Sequence, residues 1–302
     1  MARMRFSLMQ IMGNCPKLPD NYETLIYSHT KFARLPALSN MLKKLDCSRS
    51  QLTSLPKLPN SLVELMCDET PLKFLPKLPE NLTTLKCYYT PITYLPELPS
   101  NLKVLNCENT RIKILPKLPQ SLIHLFCSST KILCLPELPL NLEVLACSYT
   151  QITYLPELPN NLECIYCTNT QITSLPKLPN NLKCIYCDNT QLTSLPNLPN
   201  NIETISCNNA QIICLPKIPK SLTWLYCSNT YLRQFPKLPE TLYIKYNNTP
   251  LSIQFPPILI WEEEYPRSAT ELNEYRYTVR NIAKCKRLSR HIADELADAC
   301  LL

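Results

Sequence analysis

The apolar residues of this chain fall on a twenty-residue ruler. One unit reads Leu62-x-x-Leu65-x-Cys67-x-x-Thr70-x-Leu72-x-x-Leu75-Pro76-x-Leu78-Pro79-x-Asn81, and its cysteine returns at every twentieth position from Cys47 to Cys227. Leu65 and Cys67 alternate with Glu64, Met66 and Asp68. Period two predicts a short strand whose Leu and Cys point inward. A coil this short cannot bury its apolar edge alone, so the coils stack and their strands form a parallel sheet, about 4.8 Å apart. Leu72, Leu75 and Leu78 fill the remaining core on the way back. Pro76 and Pro79 lack backbone donors and disfavour helix at the residue before them, which predicts an extended, polyproline-like outer side.

Polar positions repeat too. Thr70 recurs as Thr90, Thr110, Thr130, Thr150, Thr170, Thr190 and Thr230, with Ser50 and Ala210 as departures. Inward hydroxyls at the strand end are expected to satisfy backbone groups left over by the turn, and the Ala210 rung should be weaker. Asn81, Asn101, Asn141, Asn161, Asn181 and Asn201, with Ser at 61, 121 and 221, precede the next strand. They are expected to bond nearby backbone and shape the turn.

The LxxLxxLPxLPxxLxxL run resembles the leucine-rich repeat family, in its shortest, twenty-residue class. It is similar to the arrays of secreted bacterial effectors of the YopM and IpaH type, and to cysteine-bearing arrays of bacteria and of large DNA viruses infecting amoebae. Thr stands here for the usual strand-end asparagine and Cys for the usual strand Val or Leu. The resemblance implies a mainly β solenoid: a horseshoe with a parallel concave sheet, an extended convex side and a short C-terminal helical cap. It also implies a pathogen or viral protein acting on host proteins. The ubiquitin-ligase domain of some such effectors has no counterpart in the roughly 45 residues after the repeats, so that activity is not carried over.

Three segments are expected: an N-terminal cap over residues 1–15, the solenoid over 16–257, and a linker with amphipathic helix over 258–302. The last coil slips by one residue, so that Ile244 and Tyr246 replace the strand Leu and Cys, and Pro256-Pro257 ends the array. In the tail, Ser268-Ala269-Thr270-Glu271 has the form of a capping box. Leu272, Tyr275, Val279 and Ile282 follow at helical spacing, which predicts one helix or two over about 269–299.

Composition narrows the function. The net charge of +7 is mild for 302 residues and makes no basic track of the kind nucleic acid needs. No apolar run reaches the roughly 18 residues of a membrane span. Seventeen cysteines cannot all pair within the chain, and the start lacks a secretory pattern, so an intracellular, cytoplasmic setting is expected. The ladder cysteines are expected to pack as small apolar residues with inert thiols. No catalytic constellation, metal site or cofactor site emerges, since histidines are scattered and glycine is confined to Gly13.

The outward strand positions do not repeat, which leaves them free to serve a partner. Phe126, Tyr166, Tyr186, Trp224 and Tyr226 are expected to form an exposed aromatic stripe on the concave face. His124, Cys164 and Cys184 stand in the column beside it, the two cysteines exposed side by side. A protein partner bound there is the expected function. A structural adaptor docking through the C-terminal helix is the alternative, and a thiol enzyme or redox sensor using Cys164 and Cys184 is a third.

Overall fold

The computed structural model describes residues 3–5 and 21–254, apart from 32 and 36. Thirteen three-residue strands form one sheet in strict chain order. They are β1 (Arg3–Arg5), β2 (Thr24–Ile26), β3 (Lys44–Asp46), β4 (Glu64–Met66), β5 (Thr84–Lys86), β6 (Val104–Asn106), β7 (His124–Phe126), β8 (Val144–Ala146), β9 (Cys164–Tyr166), β10 (Cys184–Tyr186), β11 (Thr204–Ser206), β12 (Trp224–Tyr226) and β13 (Tyr243–Lys245). Every pairing is parallel and in register, with Leu45 beside Leu65 and Ile165 beside Ile185. A short helix, α1 (Pro250–Gln254), follows β13.

The inward columns build the core. The middle strand residue of each coil and the cysteine two positions later are solvent-free from Leu45 and Cys47 to Leu225 and Cys227. Leu52, Leu72, Ile92 and their successors are equally closed, and the Leu75 and Leu78 columns complete the same cluster. Between β2 and β13 the described residues of the return segments contain no helix, as the paired prolines require; only the last coil, which lacks them, carries α1 there. Of the expected cap, Arg3–Arg5 is the first strand of the sheet. The rest of that cap, Pro256-Pro257 and the helix expected over 269–299 lie outside the described residues.

Each strand ends in the same turn. Thr70 Oγ1 donates to the Cys67 carbonyl at 2.7 Å, and the bond repeats from Thr90 to Cys87 at 2.6 Å and on to Thr230 and Cys227 at 2.8 Å. Ser50 makes it with Cys47 at 2.7 Å. The residue before each hydroxyl is left-handed, with φ of 51° at Tyr89, 52° at Asn109 and 56° at Tyr149. Such φ is uncommon outside glycine, and asparagine tolerates it best. Asn fills the position in five consecutive strand turns from Asn169 to Asn248.

The Asn column does something other than shape its own turn. Asn81 Nδ2 donates across to the Asn60 carbonyl of the preceding coil at 2.9 Å, and Asn101, Asn141, Asn161 and Asn201 do the same. Serine at this position reaches a different carbonyl of the preceding coil, Leu42 from Ser61 at 2.7 Å. The turn itself is closed by backbone, for example Leu62 N–H to the Pro59 carbonyl at 3.1 Å. These side chains therefore stitch coil to coil.

Ala210 is buried between the Thr190 and Thr230 rungs and offers no hydroxyl to the Cys207 carbonyl. Ala210→Thr should restore the bond at a site shaped for it and raise stability by about 1 kcal/mol in urea unfolding. The reverse change, Thr110→Val, should cost about 1–3 kcal/mol, because it leaves a buried carbonyl unmatched.

Candidate concave-face interface

Two outward columns run across the sheet, one from the first and one from the third residue of each strand. Parallel register brings Cys164 beside Cys184 and Tyr166 beside Tyr186. Their rings stack, with centroids 4.9 Å apart and planes 7° from parallel. Phe126 is separated from Tyr166 by Ala146, whose small side chain leaves room for both. On the same strand as Phe126, His124 holds its ring 6.2 Å from the phenyl ring.

The expected exposed stripe needs correction. Phe126, Tyr166, Tyr186, His124, Cys164 and Cys184 all lie on the predicted face, yet none is exposed; Tyr166 keeps only 1% of its surface. Alternation along a strand fixes where a side chain points, not whether water reaches it. In-register stacking hides the ring faces, and the Tyr166 hydroxyl is also out of solvent. Cys164 and Cys184 are both buried, so neither offers the accessible thiolate that a nucleophile or sensor requires. Among the described residues no group of three or more His, Cys, Asp and Glu side chains is placed to hold a metal. No described helix is long and apolar enough to cross a membrane.

At the C-terminal end of the sheet the stripe is open. Trp224 is 45% exposed and Tyr226 is partly so. Tyr243 joins them, 41% exposed, with its ring 4.9 Å from Trp224 and 6.1 Å from Tyr226. The one-residue slip of the last coil puts Tyr243 opposite Trp224, which a fixed twenty-residue column does not reveal.

Burial also tunes the ionisable groups. His124 is buried with neither ring nitrogen hydrogen-bonded among the described residues, and desolvation lowers its pKa to about 4. Asp68 is raised to about 6, first by burial, against the opposing pull of its hydrogen bond with Tyr88. The ladder thiols are pushed well up by burial, Cys147 and Cys227 to about 12. Three of them donate weakly to the carbonyl of the next coil, as Cys187 Sγ does to Ser206 at 3.2 Å.

A second surface escaped the period-two reasoning. Phe74, Tyr94, Ile114, Cys134 and Tyr154 recur on the return segments of successive coils, and all are exposed. The same twenty-residue ruler, applied to the return segment, would have found this apolar ridge.

No protein-family model and no curated protein matches the chain. Among solved structures it is similar to YopM from Yersinia enterocolitica, at 36% identity and TM-score 0.76, over 77% of this chain and 52% of that one. It is also similar to YopM from Yersinia pestis, described as a leucine-rich effector protein, at 27% identity and TM-score 0.71, over 82% of this chain and 77% of that one. This chain thus spans about half the length of the first and about three quarters of the second. InlJ from Listeria monocytogenes, described as including a cysteine ladder, shares the fold at 21% identity and TM-score 0.51, over 72% of this chain and 58% of that one.

Proposed function

We propose that this leucine-rich repeat protein, whose array resembles that of YopM, is a non-catalytic scaffold that binds a protein partner through its concave face. The fold supports an interaction role, because a preformed sheet offers a long surface at little ordering cost. One observation carries the choice of face. Inward columns repeat, whereas the outward columns vary and end in the clustered, exposed aromatics Trp224, Tyr226 and Tyr243. Large rigid aromatics at a rim of this kind are the residues that dominate protein–protein affinity. The likeness to a Yersinia effector extends the reading, by analogy, to a pathogen or viral protein acting on host proteins. The unpaired ladder thiols fit a reducing, intracellular compartment.

The test is capture of a partner by full-length protein carrying Trp224→Ala with Tyr243→Ala. Retention of the partner should fall at least tenfold, since a single hot-spot aromatic is worth about 2 kcal/mol or more. Tyr94→Ala with Tyr154→Ala, on the opposite ridge, should leave it unchanged. Loss from the ridge variant and not from the concave variant would move the interface to the convex side.

A further inference from the structure

On each return segment the buried residues fall at period three, as Leu72, Leu75 and Leu78 do. Three residues per turn is the polyproline repeat, so positions 71, 74 and 77 share the outer side, about 9 Å apart. Stacking turns each of them into a column that advances about 4.8 Å per coil. The central column is the exposed ridge of Phe74, Tyr94, Ile114, Cys134 and Tyr154. The column beside it reads Lys57, Lys77, Glu97, Lys117, Glu137 and Glu157, all exposed. None of these six is in an ion pair with another described residue. The two ends of the column hold like charges in neighbouring coils, Lys57 with Lys77 and Glu137 with Glu157, which repel within the chain. An unbroken run of exposed apolar residues marks an interaction surface, and the order of the charges beside it tells what covers it.

We propose that this ridge is where two copies of the chain meet, about a two-fold axis that runs along the return segments between the coils of Tyr94 and Ile114. Such an axis reverses the order of the coils and lays each column on its own counterpart. The charge column then matches at every step. Lys57 meets Glu157 of the second copy, Lys77 meets Glu137, and Glu97 meets Lys117, each contact occurring twice. On the ridge Tyr94 lies over Ile114, Phe74 over Cys134 and Tyr154 over Ser54. On its other flank Arg111 and Lys131 meet Pro91 and Pro71, so no like charges are opposed. Sliding the second copy by one coil in one direction sets Lys117 against Lys117 and Glu97 against Glu137; sliding it the other way sets Lys117 against Lys77 and Glu97 against Glu97. Charge therefore fixes the register of the pair.

The contact is modest in size. Six coils by six polyproline residues measure about 24 Å by 19 Å, roughly 450 Å² on each copy and roughly 900 Å² for the two. That lies at the low end of specific interfaces and gives a reversible, concentration-dependent dimer. The contact uses return segments alone, so it does not rest on the concave-face reading and leaves both concave faces in place.

The test is sedimentation of the full-length chain over about 1–300 µM, the range in which an interface of this size associates. The parent should pass from monomer to dimer. Lys77→Glu and Glu137→Lys should each weaken association at least tenfold. Both changes in one chain, or an equal mixture of the two single variants, should restore it to within about threefold of the parent. Positions 77 and 137 stand three coils apart in one chain, about 14 Å, so they do not repair each other there. Ile114→Asp, at a side chain that is 75% exposed, should abolish the dimer and leave unfolding unchanged. Alkylation gives an independent readout. In dilute protein Cys134 and Cys214, both exposed, should react at similar rates; as the dimer forms, Cys134 should slow about tenfold under Phe74 of the second copy, while Cys214, outside the contact, should not. A parent that stays monomeric throughout the range would overturn the proposal. So would single variants that dimerise like the parent, a charge swap that rescues nothing, or a dimer in which Cys134 stays as reactive as in the monomer.

Discussion

Replacing Leu142 with alanine should cost the solenoid about 3–5 kcal/mol, whereas the same change at Leu242 should cost about 1–2 kcal/mol. Both residues stand in one inward column, just before the strand. Leu142 is solvent-free, and Leu242 is only partly buried in the last coil. A mid-array cavity also weakens contacts to the coils on both sides, because stability in a solenoid is a sum over nearest-neighbour interfaces. Urea unfolding followed by circular dichroism measures the difference. Equal losses at the two positions would mean that the array does not behave as stacked neighbours.

The second large effect is a pair of opposed pH dependences. Burial lowers His124 from 6.5 to about 4, so the unfolded chain takes up a proton there before the folded one does. Its contribution to stability is complete above pH 6.5 and is lost as pH falls to about 4, a loss of about 3 kcal/mol. Asp68 runs the other way. Burial raises it from 3.8 to about 6, so the folded chain holds a proton that the unfolded chain has released. Its contribution is complete below pH 3.8 and is lost as pH rises through about 6, again by about 3 kcal/mol. Between pH 4 and 6 the two nearly cancel. Asp68→Asn should therefore become less stable, relative to the parent, as pH falls across that window. His124→Gln should become more stable relative to the parent across the same window. Reading each variant against the parent cancels the other carboxylates. Variants that parallel the parent would show that neither group is buried as described.

Much of this was visible in the residues themselves. The Leu and Cys columns, the Thr hydroxyls and the paired prolines each repeat because each coil solves the same packing and hydrogen-bond problem. Their structure follows from one unit, as the Thr70–Cys67 bond does. The outward side is different, because exposure is a property of the assembled face. Alternation placed Tyr166 and Cys164 correctly but did not tell that water is kept from them. Asn81 looked like a turn residue because its partner, the Asn60 carbonyl, becomes a neighbour only after stacking. Tyr243 was missed because the slip in the last coil breaks the ruler at the one place where the aromatic end of the face is completed. The left-handed turn was hidden as well: Tyr89 and Tyr149 occupy it, where glycine would have marked it.

Everything rests on the stacking of coils that each contribute one inward thiol. Native alkylation with site-by-site readout tests this directly in the full-length protein. Cys134 and Cys214, exposed on the return segments, should modify within minutes, while all ten thiols from Cys47 to Cys227 on the inward column should stay unmodified until denaturant is added. Rapid native modification along the inward column would contradict the stacked core, and with it every surface assigned to the face above it.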